Sequence, residues 1–92
     1  MEEIVQTKVT KEQIDDILNK AEFHIEHRIF GKQCIVVASL ENGFTITGES
    51  ACVDSNNYEE TMGIKLAMER IRDRLWELEG YRLQCRLYET TK

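Results

Sequence analysis

The segment spanning residues 42–50, Asn-Gly-Phe-Thr-Ile-Thr-Gly-Glu-Ser, combines several groups that could bind an anion. Its Asn42-Gly43 turn starts a strand in which apolar residues alternate with threonines. A polar loop follows, and then a long helix that is predicted to begin near Asn57. Backbone amides, hydroxyls and a helix N-terminus would then lie close together, which favours a small anionic ligand.

Six basic residues lie on the predicted long helix and just after it: Lys65, Arg70, Arg72, Arg74, Arg82 and Arg86. One interpretation is a phosphate pocket, because the planar guanidinium fork binds two phosphate oxygens at once. The other is ion pairing along the helix, such as Glu69 with Arg72, or Arg74 with Asp73 and Glu77. Phe44 and Tyr58 could supply aromatic faces for a base.

Catalytic motifs are not apparent elsewhere in the sequence. His24 and His27 are three residues apart on a predicted strand, so they point to opposite faces and do not suit one metal ion. No nucleophile motif surrounds a cysteine, and Cys34 and Cys85 lie in apolar patterns typical of buried thiols. No two glutamates are marked as an acid/base pair, and most of them are interpreted as helix-surface charges. We therefore expect no enzyme activity, no cofactor and no metal.

The elements that would position these residues form an α+β domain. Thr10 and Gln13 predict a capping box for a short helix from about 11 to 20. Alternating or continuous apolar runs predict three antiparallel strands, over 22–30, 34–40 and 44–51, with the second in the centre.

The long helix carries the clearest periodic pattern in the chain. Gly80 is a suitable residue to end this helix, and residues 81–87 would then form either a fourth strand or a helical tail. Three further apolar residues lie outside the main stripe and widen the apolar surface of the helix: Met62, Leu66 and Trp76. The stripe itself consists of Ile64, Ala67, Met68, Ile71, Leu75 and Leu78.

The length of 92 residues predicts a single domain, 1–92, with flexible ends at 1–9 and 88–92. A chain of this size cannot cover such a wide apolar helix, so we expect a homo-oligomer, at least a dimer and as large as a hexamer.

The net charge of −5 argues against a nucleic-acid polymer or an anionic membrane as partner. Three cysteines without CxxC spacing argue against a disulfide framework or a zinc knuckle. The acidic N-terminus is not a signal peptide, and no apolar run approaches a membrane span. These features predict a soluble protein of a reducing cytoplasm.

Several motifs together resemble the small phage protein family described by gene-product numbers 49 and 66. They are the segment 42–52, the Asn57-Tyr58 pair, the run Trp76-Glu77-Leu78-Glu79-Gly80-Tyr81 and the closing Arg86-Leu87. The motif resemblance covers roughly residues 33–87 and leaves out the N-terminal third.

The same architecture resembles the phage anti-defence sponges that inhibit Thoeris immunity. This resemblance implies a protein that binds a cyclic ADP-ribose isomer at a subunit interface and holds it without cleavage, in the cytoplasm of the infected bacterium. It also implies roles for four residues. Phe44 would stack on the base, Asn57 would belong to a lid, and Arg74 and Arg28 would contact phosphates. The predicted ligand-binding set is Arg28, Phe44, Thr47, Asn57, Tyr58, Arg70, Arg74 and Arg86.

Two other functions fit the same sequence. An acidic phage protein could dock on a host protein and inhibit it directly. Alternatively, an enzyme could degrade the immune signal.

Overall fold

The computed structural model describes residues 6–91, so residues 1–5 of the predicted flexible N-terminus lie outside it. Its elements are helix α1 (Lys11–Asn19), strands β1 (Glu22–Ile29), β2 (Gln33–Ser39) and β3 (Thr45–Ala51), a short 3₁₀ turn (Ser55–Asn57), and helix α2 (Glu60–Thr90). The predicted α+β class is confirmed.

The three strands form an antiparallel sheet in the order β1-β2-β3, as the sequence predicts. Cys34, Val36 and Ala38 of β2 are fully buried, and they share the helix-covered face with Ile46 of β3. Ile35 and Val37 of β2 point to the opposite face, which neither described helix covers. The apolar run in β2 therefore reflects its central position, while only one of its two faces is packed.

Helix α2 crosses the sheet over β3 at very short range. A Cβ atom at Gly48 would lie 2.1 Å from the backbone oxygen of Ala67. Near the end of β3, the Ser50 hydroxyl donates a hydrogen bond to the backbone oxygen of Gly63 at 2.8 Å. The lack of a side chain at Gly48 therefore allows the close approach of helix α2 to strand β3.

The predicted apolar stripe of α2 is confirmed, and its centre is Ala67, Ile71 and Leu75. Ile64, Met68 and Leu78 are partly buried against the same core. The three residues that widen the apolar surface of the helix remain exposed to solvent: Met62, Leu66 and Trp76.

The predicted end of this helix at Gly80 is wrong. Of the two alternatives for residues 81–87, the helical one is confirmed and the fourth strand is wrong. Helix α2 continues through Gly80 to Thr90. A glycine in a helix costs only about 1 kcal/mol relative to alanine, and strong helix formers such as Leu83 and Arg86 follow it. The chain also lacks proline, which would have stopped the helix.

The predicted helix start near Asn57 is wrong as well. Helix α2 begins at Glu60, and its N-cap Glu59 makes no capping hydrogen bond through its side chain. Asp54 caps the preceding 3₁₀ turn instead, since its carboxylate accepts a hydrogen bond from the Asn56 amide at 2.9 Å. Buried Tyr58 is extended, with φ −70° and ψ 124°, and this delays the helix.

Helix α1 begins as predicted, with the Thr10 hydroxyl accepting a hydrogen bond from the Gln13 amide at 3.2 Å. The other half of the predicted capping box is wrong, because Gln13 Oε1 accepts a hydrogen bond from Gln6 Nε2 instead of the Thr10 amide. Gln13 Nε2 donates to Glu79 Oε1 of α2 at 2.8 Å. Ile14 and Leu18 are buried. Helix α1 is therefore held against the C-terminal half of α2.

Asp15 forms an ion pair that links helix α1 to helix α2. Its carboxylate accepts hydrogen bonds from Lys11, at 2.9 Å, and from Arg72 of α2. Both hydrogen bonds hold the pKa of Asp15 below its ordinary value of 3.8, and the bond from Lys11 has the larger effect. Because the folded pKa is below the unfolded one, the stabilisation is present above about pH 4 and is lost as the pH falls through the folded pKa.

We expect Asp15→Asn to lower stability near neutral pH and to have little effect below the folded pKa of Asp15. Urea unfolding of both proteins near pH 7 and at a pH below the folded pKa of Asp15 measures this difference. An equal loss at both pH values would show that the ionised carboxylate is not responsible.

Helix α2 extends well beyond the sheet. Its 31 residues correspond to a length of about 46 Å. The radius of gyration is 16.8 Å, against about 12 Å for a compact chain of this length. No described helix is both long and apolar enough to span a membrane.

Candidate functional site

A groove of about 370 Å³ runs between the outer edge of β3 and helix α2. It brings together four of the eight predicted ligand-binding residues. Its lining is Phe44, Thr45, Ile46, Thr47, Arg70, Asp73, Arg74 and Glu77. One aromatic residue, two threonines and two arginines therefore line one cavity.

The turn before β3 fixes the aromatic end of the groove. Gly43 has φ +91°, a conformation that favours glycine, and the Asn42 side-chain oxygen accepts a hydrogen bond from the Phe44 amide at 3.0 Å. The Leu40 amide donates to the Phe44 carbonyl oxygen at 2.8 Å, which closes the hairpin. Phe44 lies just before β3 and is 48% exposed, so its ring is accessible to a ligand.

The two arginines lie one turn apart on α2, with different partners. Arg70 Nε donates a hydrogen bond to the Glu49 backbone oxygen on the outer edge of β3, at 3.1 Å. The Arg74 side chain is 56% exposed, and its Nη1 lies 3.9 Å from Glu77 Oε2. Arg74 is thus the guanidinium with more freedom to meet a ligand.

The ion-pair interpretation holds for part of the helix. The predicted pairing of Arg74 with Glu77 is present, although it is long and exposed. The pairing of Glu69 with Arg72 is wrong, because Arg72 reaches across to Asp15 of α1.

Charges in the groove balance, since Asp73 and Glu77 line it together with Arg70 and Arg74. Net attraction to an anion is therefore small. Any phosphate held here would depend on directed hydrogen bonds from the guanidinium groups.

Three predicted site residues lie at the opposite end of β3. The Arg28 guanidinium stacks 5.0 Å from the centre of the Tyr58 ring. His27 Nδ1 and the Tyr58 hydroxyl share a hydrogen bond of 3.2 Å, and burial raises the pKa of Tyr58 above its ordinary value of 10.0. Asn57 is exposed beside them. Tyr58 is a buried core residue, so its ring is not an open platform for a base.

The backbone separates these residues from Phe44. β3 has seven residues, which corresponds to a strand length of about 23 Å, and the loop that contains Asn57 follows its far end. Phe44 and Asn57 line different cavities of the chain.

Arg86 is also outside the groove. It lies 12 positions beyond Arg74 on the same helix, or about 18 Å further along the axis. Its side chain is exposed and forms no ion pair with any residue that the structure describes.

A second cavity, which the sequence analysis missed, lies between α1, the turn before β3 and α2. Its volume is about 480 Å³, and Phe44 separates it from the groove. Glu79 lines it and is buried, unlike the other glutamates of α2. Gln13 Nε2, at 2.8 Å, and Arg82 Nη1, at 3.4 Å, satisfy this carboxylate. The four-residue spacing from Leu75 was the sequence signal for its burial.

The three cysteines are free thiols that differ in burial. Cys34 is buried, as predicted. Cys85 is half-buried on α2, so its predicted burial is wrong. Cys52 Sγ donates to the Asp54 backbone oxygen at 3.1 Å. Residues 6–91 contain no group of three His, Cys, Asp or Glu side chains that could hold a metal ion.

The fold and the groove define a class of small α+β proteins, in which a three-stranded antiparallel meander is crossed by one long helix. The chain belongs to the Phage protein (N4 Gp49/phage Sf6 gene 66) family, whose sequence profile matches residues 9–87. The match confirms the family resemblance, and it also includes most of the N-terminal third that the motifs left out. No curated protein and no solved structure matches the chain.

Proposed function

We propose that this phage protein binds a cyclic nucleotide immune signal, a cyclic ADP-ribose isomer, and sequesters it without cleavage. Bound signal would be unable to activate the host NAD-consuming effector. The protein would act in the cytoplasm of the infected bacterium, as a homo-oligomer of two or more copies. The observation that supports this proposal best is the convergence of Phe44, Thr47, Arg70 and Arg74 in one groove.

These residues suit the parts of such a ligand. The half-exposed Phe44 ring offers a stacking face for adenine, and such stacking contributes about 1–3 kcal/mol per base. Arg74 and Arg70 can donate paired hydrogen bonds to phosphate oxygens. The Thr47 hydroxyl can donate to, or accept from, a ribose hydroxyl.

Sequestration also sets the required affinity. An inhibitor that acts by stoichiometry needs a sub-micromolar dissociation constant, which corresponds to about 8 kcal/mol or more of binding free energy. A groove of about 370 Å³ is within the range of small-molecule sites, roughly 300–1,000 Å³. A second copy that covers the groove would increase burial of the ligand.

The alternative function is direct inhibition of a host protein. It is favoured by the part of α2 that extends beyond the sheet, where Tyr81 is strongly exposed. Exposed aromatic residues are common in protein interfaces.

Incubation with a cyclic ADP-ribose isomer, followed by removal of free ligand and heat denaturation, tests the proposal. Sequestration predicts release of intact cyclic nucleotide in near-stoichiometric amount. Release of a linear product would indicate an enzyme. Absence of nucleotide, together with a host protein in a pull-down, would support the alternative.

A further inference from the structure

The outer edge of β1 carries backbone groups that no described strand pairs. The Leu40 amide bonds to Phe44 and the Cys52 amide bonds to Lys32, so the even-numbered residues of β2 direct their backbone groups toward β3. The odd-numbered residues of β2 therefore direct their backbone groups toward β1, where they lie opposite Glu22, His24 and Glu26. By alternation, the amides and carbonyls of Phe23 and Ile25 face outward.

The side chains at this edge are apolar and poorly covered. Phe23 and Ile25 are each 40% exposed, on the face of the sheet that carries the helices. Helix α2 lies mainly over β3 and β2, and α1 packs on α2 without approaching β1. An apolar edge strand with unpaired backbone groups favours pairing with another chain.

We propose that β1 pairs antiparallel with β1 of a second copy, with Ile25 on the two-fold axis, to form a continuous six-stranded sheet. A two-fold axis brings identical strands together in the antiparallel sense, so the interface is self-complementary. Ile25 packs against Ile25 of the second copy, and Phe23 lies opposite its His27.

The charges on the other face of β1 favour this register over the one with His24 on the axis. With Ile25 on the axis, His24 lies opposite Glu26 of the second copy, and Glu26 lies opposite its His24. These two side chains already hydrogen-bond within one strand, with His24 Nε2 3.1 Å from Glu26 Oε1. The neighbouring register, with His24 on the axis, places Glu22 opposite Glu26, and like charges opposite each other destabilise a strand pair.

The geometry also limits where this pairing ends. The register of β1 shifts between Glu26 and Ile29, and Arg28 and Phe30 have positive φ of 52° and 54°. This bulge ends the regular edge near His27. The paired segment is therefore short, from Glu22 to about Arg28.

The opposite edge of the sheet cannot pair in the same way. Arg70 already occupies the Glu49 carbonyl oxygen on β3. In addition, α2 lies directly over β3 at Gly48. Two such helices need about 8–10 Å between axes, whereas paired strands lie only about 4.8 Å apart.

Sedimentation of the full-length protein at micromolar concentration tests this interface. We expect the wild type to sediment at twice the chain mass of 10.8 kDa. Ile25→Lys should raise the dimer dissociation constant at least tenfold, because two lysines would meet at the axis. Phe30→Lys is the matched control: it removes a side chain that is 92% exposed and outside the paired segment, and it should leave the dimer intact.

A charge exchange tests the register. Glu26→Lys should weaken the dimer, and the double variant His24→Glu with Glu26→Lys should restore it. A wild type that sediments as a monomer, or a dimer that survives Ile25→Lys, would overturn the proposal. Circular dichroism should show the same helix content in every variant. These measurements need no ligand, so their outcome is separate from that of the proposed nucleotide binding.

Discussion

Gly48→Ala is expected to destabilise the fold by about 3 kcal/mol or more, which is at the upper end for an added methyl group in a packed core. The new Cβ would lie 2.1 Å from the Ala67 backbone oxygen and 2.9 Å from Ile71 Cγ1. The backbone of α2 cannot yield as a flexible side chain could, so helix and sheet must separate. Urea unfolding followed by circular dichroism measures the loss.

Gly80→Ala provides the matched control. An added Cβ at Gly80 meets no atom within 4 Å, and the residue lies inside helix α2. The substitution should stabilise the protein by up to about 1 kcal/mol, through helix propensity alone. Equal effects of the two substitutions would contradict the close packing of α2 on β3.

Arg74→Ala is expected to weaken binding of a cyclic ADP-ribose isomer by about 1.5–3 kcal/mol, or roughly 10- to 150-fold. The guanidinium is exposed, and its ion pair with Glu77 is long, so the fold should survive the change. Arg74→Lys keeps the charge but loses the paired donors, and we expect an intermediate affinity. Titration calorimetry measures all three proteins.

Arg86→Ala is the control for this prediction. Arg86 lies on the same helix but beyond the groove. Removal of the Arg86 side chain should not change the affinity for the nucleotide. An equal decrease of affinity in both variants would indicate that Arg74 acts through long-range electrostatic attraction instead of direct contact. If Arg74→Ala binds as tightly as the wild type, Arg74 serves only as a surface ion-pair partner.

The local parts of the fold could be predicted because short-range chemistry determines them. Asn42 and Gly43 form the turn that their conformational preferences require, and Thr10 caps α1 through its own hydroxyl. The β-branched run of β2 indicated a central strand, as observed.

The ends of α2 were mispredicted because tertiary packing overrides local signals there. Gly80 is a common helix terminator, but the helix around it contains buried Glu79 and Leu83. Asn57 is a good capping residue, but burial of Tyr58 keeps the chain extended for two more residues.

The candidate site could be predicted in part. Phe44 and Thr47 are close in sequence, and Arg70 and Arg74 share one face of a helix, so each pair was recognisable. Their juxtaposition depends on how α2 lies over β3, which no local pattern reveals. For the same reason, Asn57 and Arg86 were grouped with residues from which the fold separates them.

The most direct test of ligand binding in the groove is amide chemical-shift mapping during titration with a cyclic ADP-ribose isomer. We predict saturable shifts concentrated at residues 44–47, at the start of β3, and at residues 70–77 of α2, the two segments that line the groove. Arg74→Ala should reduce them at the same ligand concentration. An unchanged spectrum at millimolar ligand, or shifts that avoid both segments, would contradict the proposed site.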